Sequence, residues 1–371
     1  MKSIILCLGL TSMCFTQLIA QQTDTNLVNT EKVLNKVTIG AYIDTYYGAT
    51  PSRLKDNNMP YFVSMNRSNE LNVNLAYLDF KYSDENIRAR FVPGVGSYVN
   101  ANYSAEPGTL KNIIEGNIGV RISKKRDIWI DAGILGSPYT NESAISKDHL
   151  MYTRSFAPEY VPYYLSGVKA TFPLSTKLTA YIYLLNGWQQ IQDVNNGKSI
   201  GTQLEYRPKA NHLINFNTYI GDERSVSSPL NRIRYFTDLY WSYSNPVSKM
   251  SATSCVYFGN QKRMQIDGKQ SNNYWWQANF IGNYKFNTKT SLSGRIEYFN
   301  DATNVQITPV TVPGAFKAGS SGLCLNIKLT DQALFRLEGR QFFSSDKNFI
   351  DPQGNPSKQM SWFISNLTIW F

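Results

Sequence analysis

From Val37 to its last residue the chain repeats one pattern, a run of alternating apolar and polar residues followed by a break. "VTIGAYIDTYYG" begins it at Val37, and "NVNLAYLDFKYS", "IIEGNIGVRIS", "KLTAYIYLLNG", "HLINFNTYIG" and "TSLSGRIEYFN" carry it on. "SWFISNLTIWF" ends it, with Phe363, Leu367, Ile369 and Phe371 on one face. Period two places successive side chains on opposite faces of a strand. About sixteen such strands can be marked off. No amphipathic-helix pattern of useful length interrupts them.

The breaks fall into two length classes that alternate. "SDEN", "SKKRD", "PLST", "RPKAN", "NPVS", "FNTK" and "TDQ" are short. Residues 49–69, 97–108, 137–160, 188–197, 260–272, 302–315 and 344–358 are long. A soluble β-sandwich also alternates, but its strands average about 5–6 residues and its connections are not sorted by parity. Strict succession with parity predicts an all-β fold, a transmembrane antiparallel up-and-down barrel with short periplasmic turns and long extracellular loops. Composition agrees. Aromatic residues reach 13% and charged residues only 17%, against about 25% charged in ordinary soluble domains. Mean hydropathy is −0.33, and no run of eighteen apolar residues would form a membrane helix.

Residues 1–20 read as a secretory signal peptide: Met1-Lys2, the apolar "IILCLGLTSMCF", then a small residue at Ala20. Cys14 as a lipoprotein site lacks the usual Leu and small residue before it. Residues 21–33 are expected to be a short periplasmic segment, and 34–371 the barrel. Cys255 and Cys324 are the cysteines that remain, far apart and without a CxxC partner. With only His149 and His212 in the chain, no metal site and no cofactor is expected.

"DIWIDAGILGSPYTNESA" and the following "MYTRSFAPEYVPYYLSGVKATFPLSTKLTAYIYLLNGWQQI" resemble the OmpL-like β-barrel porin family. The resemblance rests on the strand end at Gly133–Gly136, the Tyr152-Thr-Arg-Ser segment, Pro162 with Gly167-Val168, and "LLNGW". It extends, more weakly, over most of the chain after the leader. It implies an outer-membrane channel of a Gram-negative bacterium and names no substrate. Sixteen-stranded porins are often trimers, so the resemblance leaves a homotrimer open.

Lipid cannot solvate charge, and Arg or Lys at mid-bilayer on the outer face costs about 2–4 kcal/mol. Charged strand residues are therefore expected to face the lumen. This assigns Arg88, Arg90, Glu115, Arg121, Asp131, Arg207, Arg232, Arg234, Asp238, Arg295, Glu297, Arg336, Glu338 and Arg340 to the pore lining. Ile87, Phe91, Ile114, Ile118, Val120, Ile122 and Leu239 are expected to face lipid. The net charge of +10 then reads as a basic-leaning, mixed-charge lumen rather than as a nucleic-acid surface, since no Lys/Arg run or recognition helix occurs. The longest loop, 137–160, is by order the third outside. By analogy with general porins it is a candidate constriction, with Glu142, Asp148 and Glu159 facing Arg88, Arg90 and Arg121. A loop lying over the mouth or out in solvent is the competing reading.

The function expected is passive diffusion of small hydrophilic solutes, with an anion preference. The alternatives are a structural or adhesion barrel with a closed lumen, and an outer-membrane hydrolase. No GxSxG occurs, and neither His stands beside an obvious Ser, so no catalytic residue is assigned. Aromatic pairs near strand ends, such as Trp275-Trp276 and Phe342-Phe343, read as interface girdles. Phe371, an aromatic ending an alternating strand, resembles the signal such barrels present to the barrel assembly machinery. Outer-membrane lipid is the remaining partner, and nucleic acid is not one.

Overall fold

The computed structural model describes residues 35–225, 230–264 and 267–371. The expected signal peptide, 1–20, and the segment 21–33 lie outside the described residues. Sixteen strands form one closed antiparallel barrel. They are β1 (Val37–Ala49), β2 (Glu70–Ser83), β3 (Ile87–Val95), β4 (Ile113–Ser123), β5 (Ile128–Gly136), β6 (Tyr164–Pro173), β7 (Leu178–Leu185) and β8 (Ser199–Tyr206). The second half holds β9 (His212–Asp222), β10 (Ile233–Tyr243), β11 (Met250–Met264), β12 (Gln270–Lys285), β13 (Thr290–Asp301), β14 (Phe316–Thr330), β15 (Ala333–Ser344) and β16 (Gln359–Trp370). Each strand pairs with its sequence neighbours, and β1 closes on β16 from Tyr42↔Trp370 to Ala49↔Phe363. Closure leaves no open sheet edge, which a bilayer requires. No helix among the described residues is long and apolar enough to cross a membrane.

The alternation has its physical counterpart. Ile118, Val120, Ile122, Leu239, Phe363, Leu367 and Ile369 lie exposed on the outer wall. Between them, Asp131, Asp238, Asn366 and Thr368 point inward and are buried. Of the aromatic pairs, Trp276 and Phe343 are exposed and Trp275 and Phe342 buried, so each pair supplies one ring to each face. Phe371 keeps 71% of its surface exposed, and its backbone exchanges two hydrogen bonds with Ala41.

Two expectations need correction. Residues 260–272 are not a long loop, because Asn260–Met264 pair with Gln270–Tyr274 and the hairpin β11–β12 continues upward. Above the lipid neither face must be apolar, so "NQKRM" and "QSNNY" carry no alternation to read. Ile114 does not face lipid. Pairing shifts between Val92 and Pro93, which oppose Glu115 and Ile113. Ile114 is left as the extra residue of a bulge and is buried against Tyr98 and Tyr103.

Gly133 and Gly167 face each other across β5 and β6, with φ of +129° and +153°. A Cβ on Gly133 would lie 2.2 Å from Gly116 O, and one on Gly167 2.1 Å from Leu184 O. Only glycine fits both the dihedral and the approach. Past this pair the alternation stops, and Ile134, Leu135, Tyr164, Leu165 and Ser166 are all buried.

The hydrophobic core sits inside the barrel toward its extracellular end, not between layers. Phe62, from the loop after β1, stacks on Phe156 from the loop after β5 at 5.4 Å. It also meets Phe342 and Trp362 on the wall, at 5.7 and 5.3 Å.

Candidate functional site

The loop 137–163 enters the lumen and is strapped to one half of the wall. A segment without regular structure must still place its backbone N–H and C=O groups, and here inward wall side chains receive them. Asn217 of β9 donates to Pro138 O at 3.1 Å. Asp238 of β10 accepts the Thr140 N–H at 2.6 Å. Asn141 donates to Thr253 and Asn279, on β11 and β12, at 3.1 and 3.0 Å. On β13, Glu297 accepts the Phe156 N–H at 2.6 Å, and Arg295 donates to Arg154 O at 3.0 Å and to Thr153 O. Asn326 of β14 donates to Leu150 O at 3.3 Å. On β15, Glu338 accepts the N–H groups of Tyr152 and Thr153 at 2.9 Å each, and the Thr153 hydroxyl as well. Arg336 donates to Ser146 O at 2.8 Å and Arg340 to Arg154 O at 2.7 Å. Tyr42 of β1 meets the Ser146 hydroxyl at 2.7 Å.

The loop is braced internally too. Arg154, wholly buried, donates to Ser143 O at 2.7 Å, to Tyr152 O at 2.8 Å and to Ala144 O. Glu142 accepts the Ser155 N–H at 2.9 Å and its hydroxyl. Glu159 accepts the Val63 N–H at 2.6 Å and the Tyr163 hydroxyl at 3.0 Å, which ties this loop to the one after β1. Burial raises the Glu159 carboxyl above its ordinary range. Burial, reinforced by Arg154, Arg336 and Arg295, holds the His149 ring well below the usual histidine range. His149 is therefore neutral, and its Nε2 accepts the Ser143 N–H at 2.8 Å.

These contacts re-sort the expected site residues. Glu142 and Glu159 do not face a channel, because both are buried, Glu142 against Ser155 within the loop and Glu159 against Val63 of the loop after β1. Of the three loop acids only Asp148 is exposed, paired with Lys147 at 2.8 Å. Asp238, Arg295, Glu297, Arg336, Glu338 and Arg340 point inward but are buried beneath the loop, so they anchor it rather than line water. Arg234 is buried between Trp188 and Trp275, 4.8 and 5.6 Å from the ring centres, and donates to Gln261 at 3.0 Å. Arg232 lies just before β10, and Arg207 lies in the turn after β8, paired with Glu205 at 2.8 Å. No local pattern could separate anchors from wet residues, since both kinds alternate alike.

The other half of the wall, β2 to β6, keeps its cations wet. Arg88, Arg90, Arg121 and Lys169 retain 35, 28, 22 and 24% of their side-chain surface. Arg88 holds Asp131 at 2.5 Å and Lys169 holds it at 3.4 Å. Arg90 bridges Asp79 at 2.9 Å and Glu115 at 2.7 Å, and Lys81 adds to Asp79 at 3.1 Å. Arg121 pairs with Asp127 at 2.6 Å. Trp129 supports the array from beneath, with the Arg88 guanidinium 4.4 Å from its ring. Between the loop and the wall lies a cavity of about 330 Å³, lined in part by Tyr103, Glu115, Asp148, Tyr163, Tyr240 and Ser242. Cys255 and Cys324 are separate buried thiols. Among the described residues no group of His, Cys, Asp and Glu could hold a metal ion.

The family model described as "Putative beta-barrel porin-2, OmpL-like" matches residues 36–371. The chain belongs to this family. As a porin-family barrel it resides in the outer membrane, and solved structures share its architecture. The outer membrane channel DcaP of Acinetobacter baumannii superposes with a TM-score of 0.60 at 9% identity, over 90% of this chain and 97% of that one. An anion-selective porin from Comamonas acidovorans gives 0.57 at 8%, over 90% and 99%. The trimer form of OmpT, an outer membrane protein of Vibrio cholerae, gives 0.57 at 9%, over 90% and 99%. At such identities the likeness is one of fold. The comparison with curated proteins found no match.

Proposed function

We propose that this barrel is a passive diffusion channel for small hydrophilic solutes with a preference for anions. The observation that carries the reading is the division of the lumen. One half of the wall is spent on holding the loop, and the other presents part-exposed cations, set on less exposed carboxylates, to the remaining space. On that wall Lys81, Arg88, Arg90, Arg121 and Lys169 stand against Asp79, Glu115, Asp127 and Asp131. The excess of one cation, with three of the five in guanidinium groups that cannot lose their proton, favours anions in a narrow low-dielectric passage. The anion-selective description of the Comamonas neighbour and the trimer form of the Vibrio neighbour suit an anion-leaning homotrimer. The barrel assembly machinery, reading Phe371, would be its partner in biogenesis.

Planar-bilayer recording tests this. The purified barrel should give discrete conductance steps, and a salt gradient should give a reversal potential on the anion side. An absence of steps would favour the closed surface barrel, and a cation-side reversal would remove the anion preference while leaving the pore.

A further inference from the structure

The periplasmic rim carries charge that the fold itself does not use. Five consecutive turns close it beneath β4 to β13, at 124–127, 174–177, 207–211, 244–249 and 286–289. Every one of them contains Lys or Arg, and Asp127 is their one acid. Lys124 is paired with Glu85 at 2.9 Å and Arg207 with Glu205. The other six cations, Lys125, Arg126, Lys177, Lys209, Lys249 and Lys289, are exposed. Among the described residues none of these six has a carboxylate within 4.0 Å. The two remaining turns, 84–86 and 331–332, are acidic, with Asp84, Glu85 and Asp331. The rim is thus a basic arc completed by an acidic one. The far longer extracellular loops show no such sorting. Residues 302–315 carry no charge, and 345–358 balance Lys347 and Lys358 with Asp346 and Asp351.

A rim selected only for solubility would mix its signs from turn to turn. A second feature of this arc points to a particular partner. Leu174, Tyr206, Val247, Met250, Tyr284 and Phe286 are exposed at the same level, beside the cations. Apolar side chains at the acyl boundary with ammonium and guanidinium groups just beyond them match the section of a lipid leaflet, hydrocarbon first and phosphate next. We propose that the basic arc is a docking collar for anionic phospholipid headgroups of the periplasmic leaflet. The cations take the phosphodiester oxygens, and the apolar neighbours sink into the chains.

The test uses the full-length barrel in mixed micelles of equal phosphatidylglycerol and phosphatidylethanolamine. The protein is re-isolated and the retained lipid counted by mass spectrometry. Phosphatidylglycerol should be enriched at least about threefold over the bulk mixture. The enrichment should vanish in about 1 M salt, where the Debye length is about 3 Å, and in the variant changing all six cations to Gln. A control changing Arg53, Lys55, Lys111 and Lys347 to Gln should keep it. If the six-fold variant does not fold, the pair Lys177→Gln and Lys249→Gln should still lower it about twofold. No enrichment in the wild type, or equal enrichment in wild type and rim variant, would overturn the collar. Co-sedimentation of the wild type but not the variant with purified peptidoglycan, without lipid enrichment, would overturn it in favour of the cell wall.

Discussion

Glu338→Ala should release the loop from the lumen. The Glu338 carboxylate accepts the backbone N–H groups of Tyr152 and Thr153, each at 2.9 Å, and the Thr153 hydroxyl. All of these partners are buried. Hydrogen bonds to a charged acceptor contribute about 1.5–3 kcal/mol each, and buried donors left unpaired lose most of that. The two backbone bonds alone put the cost at about 3–6 kcal/mol, which raises the released fraction about 10²- to 10⁴-fold. The change falls on the loop and not on the barrel, because Glu338 stays paired through its backbone with Cys324 and Ile364. Mean single-channel conductance should rise and become noisier, while the heat-shifted mobility of the folded barrel stays. Deuterium exchange at Tyr152 and Thr153 should accelerate in step. Glu338→Gln, which keeps one acceptor oxygen, should fall between the two. Unchanged conductance with unchanged exchange in folded Glu338→Ala would refute the claim that this carboxylate holds the loop.

The double change Arg88→Glu with Arg90→Glu reverses two cations on the wet wall and strips Asp79 and Asp131 of guanidinium partners. Reversal potential should move to the cation side, and no movement would place the ion path elsewhere. His149 gives a pH dependence whose sign is fixed. The docked ring is neutral, and a released ring titrates near about 6.5. The released state therefore binds more protons below that pH, and docking should weaken by about 1.4 kcal/mol per unit as pH falls. Exchange at Tyr152 and Thr153, corrected for intrinsic rates, should report this. His149→Gln should remove this part of the slope and leave the opposite one from Glu159, whose raised carboxyl favours docking as pH falls. Gly133→Ala places a methyl 2.2 Å from a carbonyl oxygen at φ +129°. Strain of about 1–3 kcal/mol from the dihedral alone plus this overlap should lower the folded fraction on heat-shift gels, and a wild-type yield would argue against the close approach.

The barrel was legible because a bilayer enforces it residue by residue. One charge on the wrong face costs more than a typical side chain can recover, so Ile118, Val120 and Ile122 announce their face without any knowledge of their neighbours. The loop was not legible in that way. Glu338 meets Tyr152, and Arg295 meets Thr153, across more than a hundred residues of chain. Such contacts leave no periodic trace. Glu142 read as a channel acid for want of any sign that Ser155 would claim it. Where polar side chains stand on both faces, as at Asn260–Met264, the strand itself became invisible. The wet residues Arg88, Arg90 and Arg121 and the buried anchors Arg336 and Arg340 alternate identically. What separates them is the docking of a single loop.

The unequal strapping of that loop has a consequence for how such a barrel can change. Strands β9 to β16 and β1 act as a frame, where a substitution disturbs the loop before it meets any solute. On the proposed channel reading, strands β2 to β6 would act as a sieve, where charge can be exchanged pair by pair while the frame stays intact. Lineages retuning their permeability should accumulate differences on that one arc and keep the opposite arc still.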